Sequence, residues 1–219
     1  MRPRPSDESK SYNPADMLEY AFLTLGSLFA IVDPFAAIPT FLAMTEKDSQ
    51  EQRRRMARTA CLTCAGVMAV FALLGPSIFK LFGITMPAFQ LAGGLVLLLS
   101  ALDMLRAQKS TLRVTPEEAE EGRSKEDIAI TPLAVPILAG PGAITTSIVL
   151  ASKANTWVHS CIFYVCIAAV SLGTYYVLTL SASGARKISP TLMNIVTRLM
   201  GLLLAAIGVQ FILSALKIG

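Results

Sequence analysis

Six apolar runs constrain this 219-residue chain more than any other feature, at about residues 17–44, 57–80, 86–105, 128–151, 156–180 and 193–216. A helix needs roughly 20 apolar residues to cross a hydrocarbon core of about 30 Å. Runs of this length, joined mostly by short connections, predict an all-α membrane protein of six transmembrane helices. Only 16% of the residues are charged, against about 25% in an average soluble domain. A soluble enzyme, a DNA-binding module and a disulfide scaffold all fit poorly.

The segments outside the runs divide as follows. Residues 1–16 are polar and proline-broken, and read as a disordered tail rather than a secretory signal. Residues 106–127 form the one long loop, expected to be cytoplasmic, with a short capped helix start at Thr115-Pro116-Glu117-Glu118. Residues 17–105 and 128–219 flank it with three runs each. Gly83 to Pro87 makes a tight connection, with Pro87 placed as a first helical residue.

The net charge of +4 would suggest nucleic acid in a soluble protein. Topology explains it here, and no nucleic-acid partner is needed. If the connections alternate sides, six of the 19 lysines and arginines fall on the side of the termini. The other thirteen, including Arg53, Arg54, Arg55, Arg58, Arg186 and Lys187, fall on the opposite side. The positive-inside rule makes the richer side cytoplasmic, so both termini are expected outside.

Cys61, Cys64, Cys161 and Cys166 all lie inside apolar runs. Cys61 and Cys64 have zinc-like spacing, but no nearby His, Asp or Glu completes a ligand set. No metal or cofactor is expected. Nor is an enzyme, because no buried nucleophile with a base and no pair of acids is visible.

Two stretches echo each other, Ile31 to Ile38 in run one and Leu138 to Thr145 in run four. Pro34 and Pro141, Gly66 and Gly173, and Lys80 and Lys187 are each 107 residues apart. Leu91-Ala92-Gly93 answers Leu199-Met200-Gly201 at an offset of 108. A steady offset across three successive runs suggests a duplicated three-helix unit. Three spans per unit force the second copy in from the opposite side, giving the inverted repeat common among secondary transporters and also found in channels.

Each copy carries a helix break near mid-membrane. Run one has Asp33-Pro34 and then Pro39; run four has Pro132, Pro136 and Gly140-Pro141-Gly142. Proline removes a donor and crowds the carbonyl four residues earlier. The carbonyls of Ala30, Phe35, Pro132 and Ile137 are therefore candidates for release. Bare polar backbone at that depth must be buried in protein or line a watery cavity. Asp33 followed by Pro34 reads as an N-cap and a first helical residue. Gly140-Pro141 reads the same way with a weaker cap. Two half-helices would then start at the midplane, each with a positive dipole end and unpaired N–H groups. Such starts suit a carboxylate, while Asp33 and the freed carbonyls suit an ammonium group. The predicted ligand is a small zwitterion.

The candidate substrate-binding residues are Asp33, Pro34, Phe35, Ala36 and Ala37 from the first break, and Gly140, Pro141, Gly142, Ala143 and Thr145 from the second. Asp33 is the only acid deep in a run, a position costing about 2.5–3.5 kcal/mol. It acts either as a local cap or as a cap that also binds substrate or carries a proton. Thr40, Thr145 and Thr146 could line the cavity or bond their own backbone. Gly93, Gly94, Gly201 and Gly208 read as close helix packing. Asp103 and Arg198 read as interfacial, and so do Trp157 and His159. His159 shows no partner, so no proton relay is assigned to it.

These motifs resemble the MarC family of six-span bacterial and archaeal membrane proteins, which includes the SnatA-type neutral amino-acid transporters. The likeness runs over about residues 17–217. It rests on Asp33 to Phe41, Ala92-Gly93-Gly94, Pro132 to Ile144, Arg198 to Gly201 and Val209 to Ile212. The resemblance implies a multi-pass inner-membrane protein with outward termini, and a small neutral amino acid, such as glycine or alanine, as a substrate of at least some members. One departure stands out: Ala36-Ala37 replaces the Gly-Asn of many relatives, which removes polar ligands beside the break.

The expected function is alternating-access transport of a small neutral amino acid, with proton coupling left open. A passive channel or exporter of another small solute is the alternative, and a non-transporting accessory subunit is another. A homo-oligomer is left open.

Overall fold

The computed structural model describes residues 14–45, 48–106, 138–154, 156–183 and 190–216. The described residues form helices and no strand: α1 (Pro14–Val32), α2 (Pro34–Met44), α3 (Gln50–Phe82), α4 (Met86–Leu105), α5 (Pro141–Ser152), α6 (Trp157–Ala182) and α7 (Pro190–Leu216). Five segments are long and apolar enough to cross a membrane: Ala15–Leu42, Gln50–Phe82, Met86–Leu105, Trp157–Ala182 and Asn194–Leu216. The expected sixth span, 128–151, enters the described region only at Leu138 and continues as α5, which has 12 residues. The expected helix start at Thr115-Pro116 lies outside the described residues.

Three expected boundaries move, each for a local reason. Residues 14–16, read as tail, belong to α1. Proline suits a first helical position and Asp16 in the first turn complements the positive helix start. The second span begins at Gln50 rather than near 57, because Ser49 and Gln52 form a capping box. Ser49 Oγ accepts from the Gln52 backbone N–H at 3.3 Å, and the Ser49 N–H donates to Gln52 Oε1 at 2.8 Å. Hydropathy marks where lipid begins; the cap marks where the helix begins. At 33 residues α3 is about 50 Å long, well beyond the hydrocarbon core. Its extra turns carry Arg53, Arg54, Arg55 and Arg58. Ser49→Ala is expected to lower stability by about 1 kcal/mol, read as a shift in thermal unfolding in detergent. Lastly, Met86 opens α4 and Pro87 comes second, behind the Thr85 cap. The turn before it needs Gly83, whose φ of 64° closes α3 in the left-handed region.

Glycine contacts set the helix directions. A Cβ on Gly94 would stand 2.7 Å from the Gly208 carbonyl oxygen, and one on Gly201 would stand 3.0 Å from Met104 Cβ. So α4 and α7 run antiparallel, backbone against backbone, as their glycines predicted. Gly75 of α3 faces Ile148 of α5, and Gly93 of α4 faces Thr145 of α5. The Phe79 and Phe89 rings meet at a tilt, 4.7 Å apart, where α3 meets α4. One face of the molecule therefore carries the start of α1 and the end of α7, with the ends of α3 and α5 and the starts of α4 and α6. We call it the terminal face. The opposite face carries the ends of α2, α4 and α6 and the starts of α3 and α7.

The interior is apolar, as in a soluble protein, and so is much of the outer surface. Leu28, Phe41, Met68, Phe163 and Leu178 are buried between helices, while Leu91, Leu95, Leu99 and Leu102 form an exposed stripe along α4. Exposed apolar surface of this extent is a liability in water and is the expected outer surface in lipid.

Candidate functional site

Asp33 alone separates α1 from α2. Its φ of 45° and ψ of 69° place it in the left-handed region. There it serves two helices at once. Its N–H donates to the Phe29 carbonyl at 3.0 Å, ending α1. Its Oδ1 accepts from the Ala36 N–H at 3.2 Å, starting α2 behind Pro34. The side chain is fully buried. Phe29 and Phe35 meet edge to face at 6.0 Å across the interruption.

Gly140 caps α5 without a side-chain hydrogen bond, as its lack of a side chain dictates, and Pro141 follows as the first helical residue. The residues before Leu138 lie outside the described region, and with them the released carbonyls expected at Pro132 and Ile137. Thr145 donates to the Pro141 carbonyl at 2.8 Å, so it bonds its own backbone. Thr146 is fully buried, and its hydroxyl makes no hydrogen bond among the described residues.

The two starts are neighbours. A Cβ on Gly142 would stand 2.6 Å from Leu97 Cδ2 and 3.7 Å from Ile31 Cγ2. The first turn of α5 thus lies beside the last turn of α1, within two residues of Asp33. From this shared level α2 runs to the opposite face and α5 to the terminal face. Asp33, Pro34, Ala37, Ala143 and Thr145 are buried; Phe35, Ala36, Gly140 and Gly142 are half-buried, and Pro141 is exposed. Of the predicted residues, Gly142 thus meets the helix that ends at Asp33, while Ala37 and Thr145 lie about one turn along α2 and α5, which diverge from there.

Sequence reasoning missed the polar contacts at the two faces. At the terminal face Tyr20 donates to the Leu150 carbonyl at 3.0 Å. His159 is not partnerless: its Nδ1 lies 2.6 Å from Thr156 Oγ1, and its ring meets Tyr20 edge to face at 4.9 Å. At the opposite face Arg53 Nε donates to the Thr45 carbonyl at 2.9 Å, and its Nη1 to the Ala182 carbonyl at 3.3 Å. Gln50 Nε2 donates to the same Ala182 carbonyl at 2.9 Å. The signal that could have pointed to ordered structure there is the capping-box pattern Ser49-x-x-Gln52.

Comparison with known proteins agrees with this architecture. The profile described as "MarC family integral membrane protein" matches residues 18–218. The chain belongs to the MarC family. Within it, a UPF0056 membrane protein of Methanocaldococcus jannaschii is 37% identical over 201 residues, which is 91% of this chain and 97% of that relative. UPF0056 membrane protein YvbG of Bacillus subtilis is 38% identical over 192 residues, covering 87% of this chain and 91% of the relative. YhcE of Escherichia coli is 34% identical over 190 residues, covering 87% and 88%. No solved structure matches the chain. As a MarC protein it is an integral membrane protein with several apolar helices.

Proposed function

We propose that this MarC protein is a secondary transporter of small neutral amino acids, such as glycine and alanine, in a bacterial or archaeal plasma membrane. The observation that carries the reading is the adjacency of Gly142 and Ile31, which sets the starts of α2 and α5 at one level. Two helix starts that diverge from there offer N–H groups and positive dipole ends to a carboxylate. The buried Asp33 offers a negative pole to an ammonium group. Both poles within one site fit a zwitterion and fit a simple cation or anion poorly.

The helix partners support an inverted repeat of six spans. α2 packs on α6 and α7, while α5 packs on α3 and α4. Exchanging α3 with α6 and α4 with α7 turns one set of neighbours into the other. With the arginine-bearing start of α3 in the cytoplasm, both termini lie outside. Alternating access would rock one unit against the other around the shared level.

Purified protein in proteoliposomes is expected to take up labelled glycine and alanine with saturation and counterflow. Flux without either would assign a passive pathway instead. Gly142→Leu is expected to abolish uptake, because the new side chain must fill the space between Leu97 and Ile31. Uptake unchanged in that variant would remove the start of α5 from the site.

A further inference from the structure

Beyond the site itself, each face of the molecule ties the chain before residue 107 to the chain after residue 137 by side-chain hydrogen bonds to backbone. At the opposite face Arg53 and Gln50, at the start of α3, both donate to the carbonyl of Ala182, the last residue of α6. The Arg53 guanidinium also holds Thr45, the C-cap of α2. At the terminal face Tyr20 of α1 donates to the Leu150 carbonyl in the last turn of α5.

We propose that these are two latches, Arg53 with Gln50 at one face and Tyr20 at the other, which transport opens one at a time. The proposal rests on the transporter reading above. Final-turn carbonyls carry the negative end of the helix dipole, so a guanidinium spanning two of them binds both. Both latches close the ends of the half-helices that start at the candidate site: Arg53 holds the end of α2 and Tyr20 that of α5. Between the faces, the two portions meet through apolar and glycine contacts such as Gly142 on Ile31 and Gly93 on Thr145, with a weak sulfur donor, Cys166 Sγ to the Ala21 carbonyl at 3.7 Å. A polar bond at a membrane face can be exchanged for water when it opens, whereas one in the apolar middle cannot. Placing the ties at the faces therefore makes each one reversible. Arg53, Gln50 and Tyr20 are positioning residues, acting on access to the site and not on the solute.

The test uses a reporter thiol, Ala36→Cys, in a chain whose four native cysteines are replaced by alanine. A membrane-impermeant maleimide is applied to right-side-out and to inside-out vesicles. Arg53→Gln is expected to raise labelling from the side of Arg53 and lower it from the other side, each by about fivefold, the effect of losing one net hydrogen bond. Tyr20→Phe, which deletes one hydroxyl, is expected to do the reverse. Arg53→Lys keeps the charge but cannot span two carbonyls, and is expected to fall between. Labelling that rises equally from both sides in these variants, or stays unchanged in both, would overturn the latches and leave plain structural ties. Amino-acid flux, measured without the reporter, separates this result from the functional reading. Opposite labelling shifts with no glycine or alanine flux keep the latches and discard the substrate. Saturable flux with unshifted labelling discards the latches and keeps the transporter.

Discussion

Leucine at position 94 is expected to leave little folded protein to purify. The Cβ alone would sit 2.7 Å from the Gly208 carbonyl oxygen and 2.8 Å from Ile212 Cγ1. A side-chain neighbour can rotate aside, but a helix carbonyl cannot, so α4 and α7 must separate. Overpacking typically costs 1–3 kcal/mol. With backbone as the obstacle we expect about 3 kcal/mol or more, a large part of a total stability of roughly 5–15 kcal/mol. Size-exclusion profiles and thermal unfolding in detergent provide the measurement. Gly66→Leu is the control: a Cβ there meets nothing within 4 Å. It is expected to fold as well as the parent, helped by a better helix former. Equal behaviour of the two variants would show that α4 and α7 do not meet through their glycines.

The second large effect is expected at Asp33. Alanine there loses the Ala36 cap, about 1 kcal/mol, together with the short polar side chain whose local hydrogen bonding eases a φ of 45°. Glycine restores the backbone freedom but not the cap, so its stability is expected between alanine and the parent. Asparagine keeps both the left-handed tolerance and the cap, and removes only the charge. Asp33→Asn is thus expected to unfold within about 0.5 kcal/mol of the parent, yet to lose at least about tenfold in glycine uptake, because the negative pole for the ammonium group is gone. Full uptake in Asp33→Asn would reduce Asp33 to a helix cap.

Much of this architecture is written into short stretches of sequence. Apolar length marked the five spans found among the described residues, Asp-Pro marked the residue that starts α2, and Gly-Pro marked the start of α5. These signals are local: a cap, a fixed φ, a missing donor. The glycines of α4 and α7 were legible as close packing, though not which glycine meets which. The start of α3 was misjudged because hydropathy follows the bilayer, while the capping box follows the backbone. Contacts between distant residues left no trace. Tyr20 with Leu150 and Arg53 with Ala182 join a side chain to a backbone carbonyl more than a hundred residues away. A carbonyl acceptor is the same at every position, so nothing in the sequence picks one out. His159 looked solitary for a related reason, since its neighbours Thr156 and Tyr20 are ordinary interface residues.

A joint made of one residue has a consequence for inherited variation. Each residue added to a helix advances it by about 100° and 1.5 Å. One codon inserted or deleted beside Asp33 would rotate the whole of α2, swinging Ala37, Ile38 and Phe41 away from the neighbours that bury them. Ordinary connections absorb changes of length as slack. This one has none, so length variants should be lost at position 33.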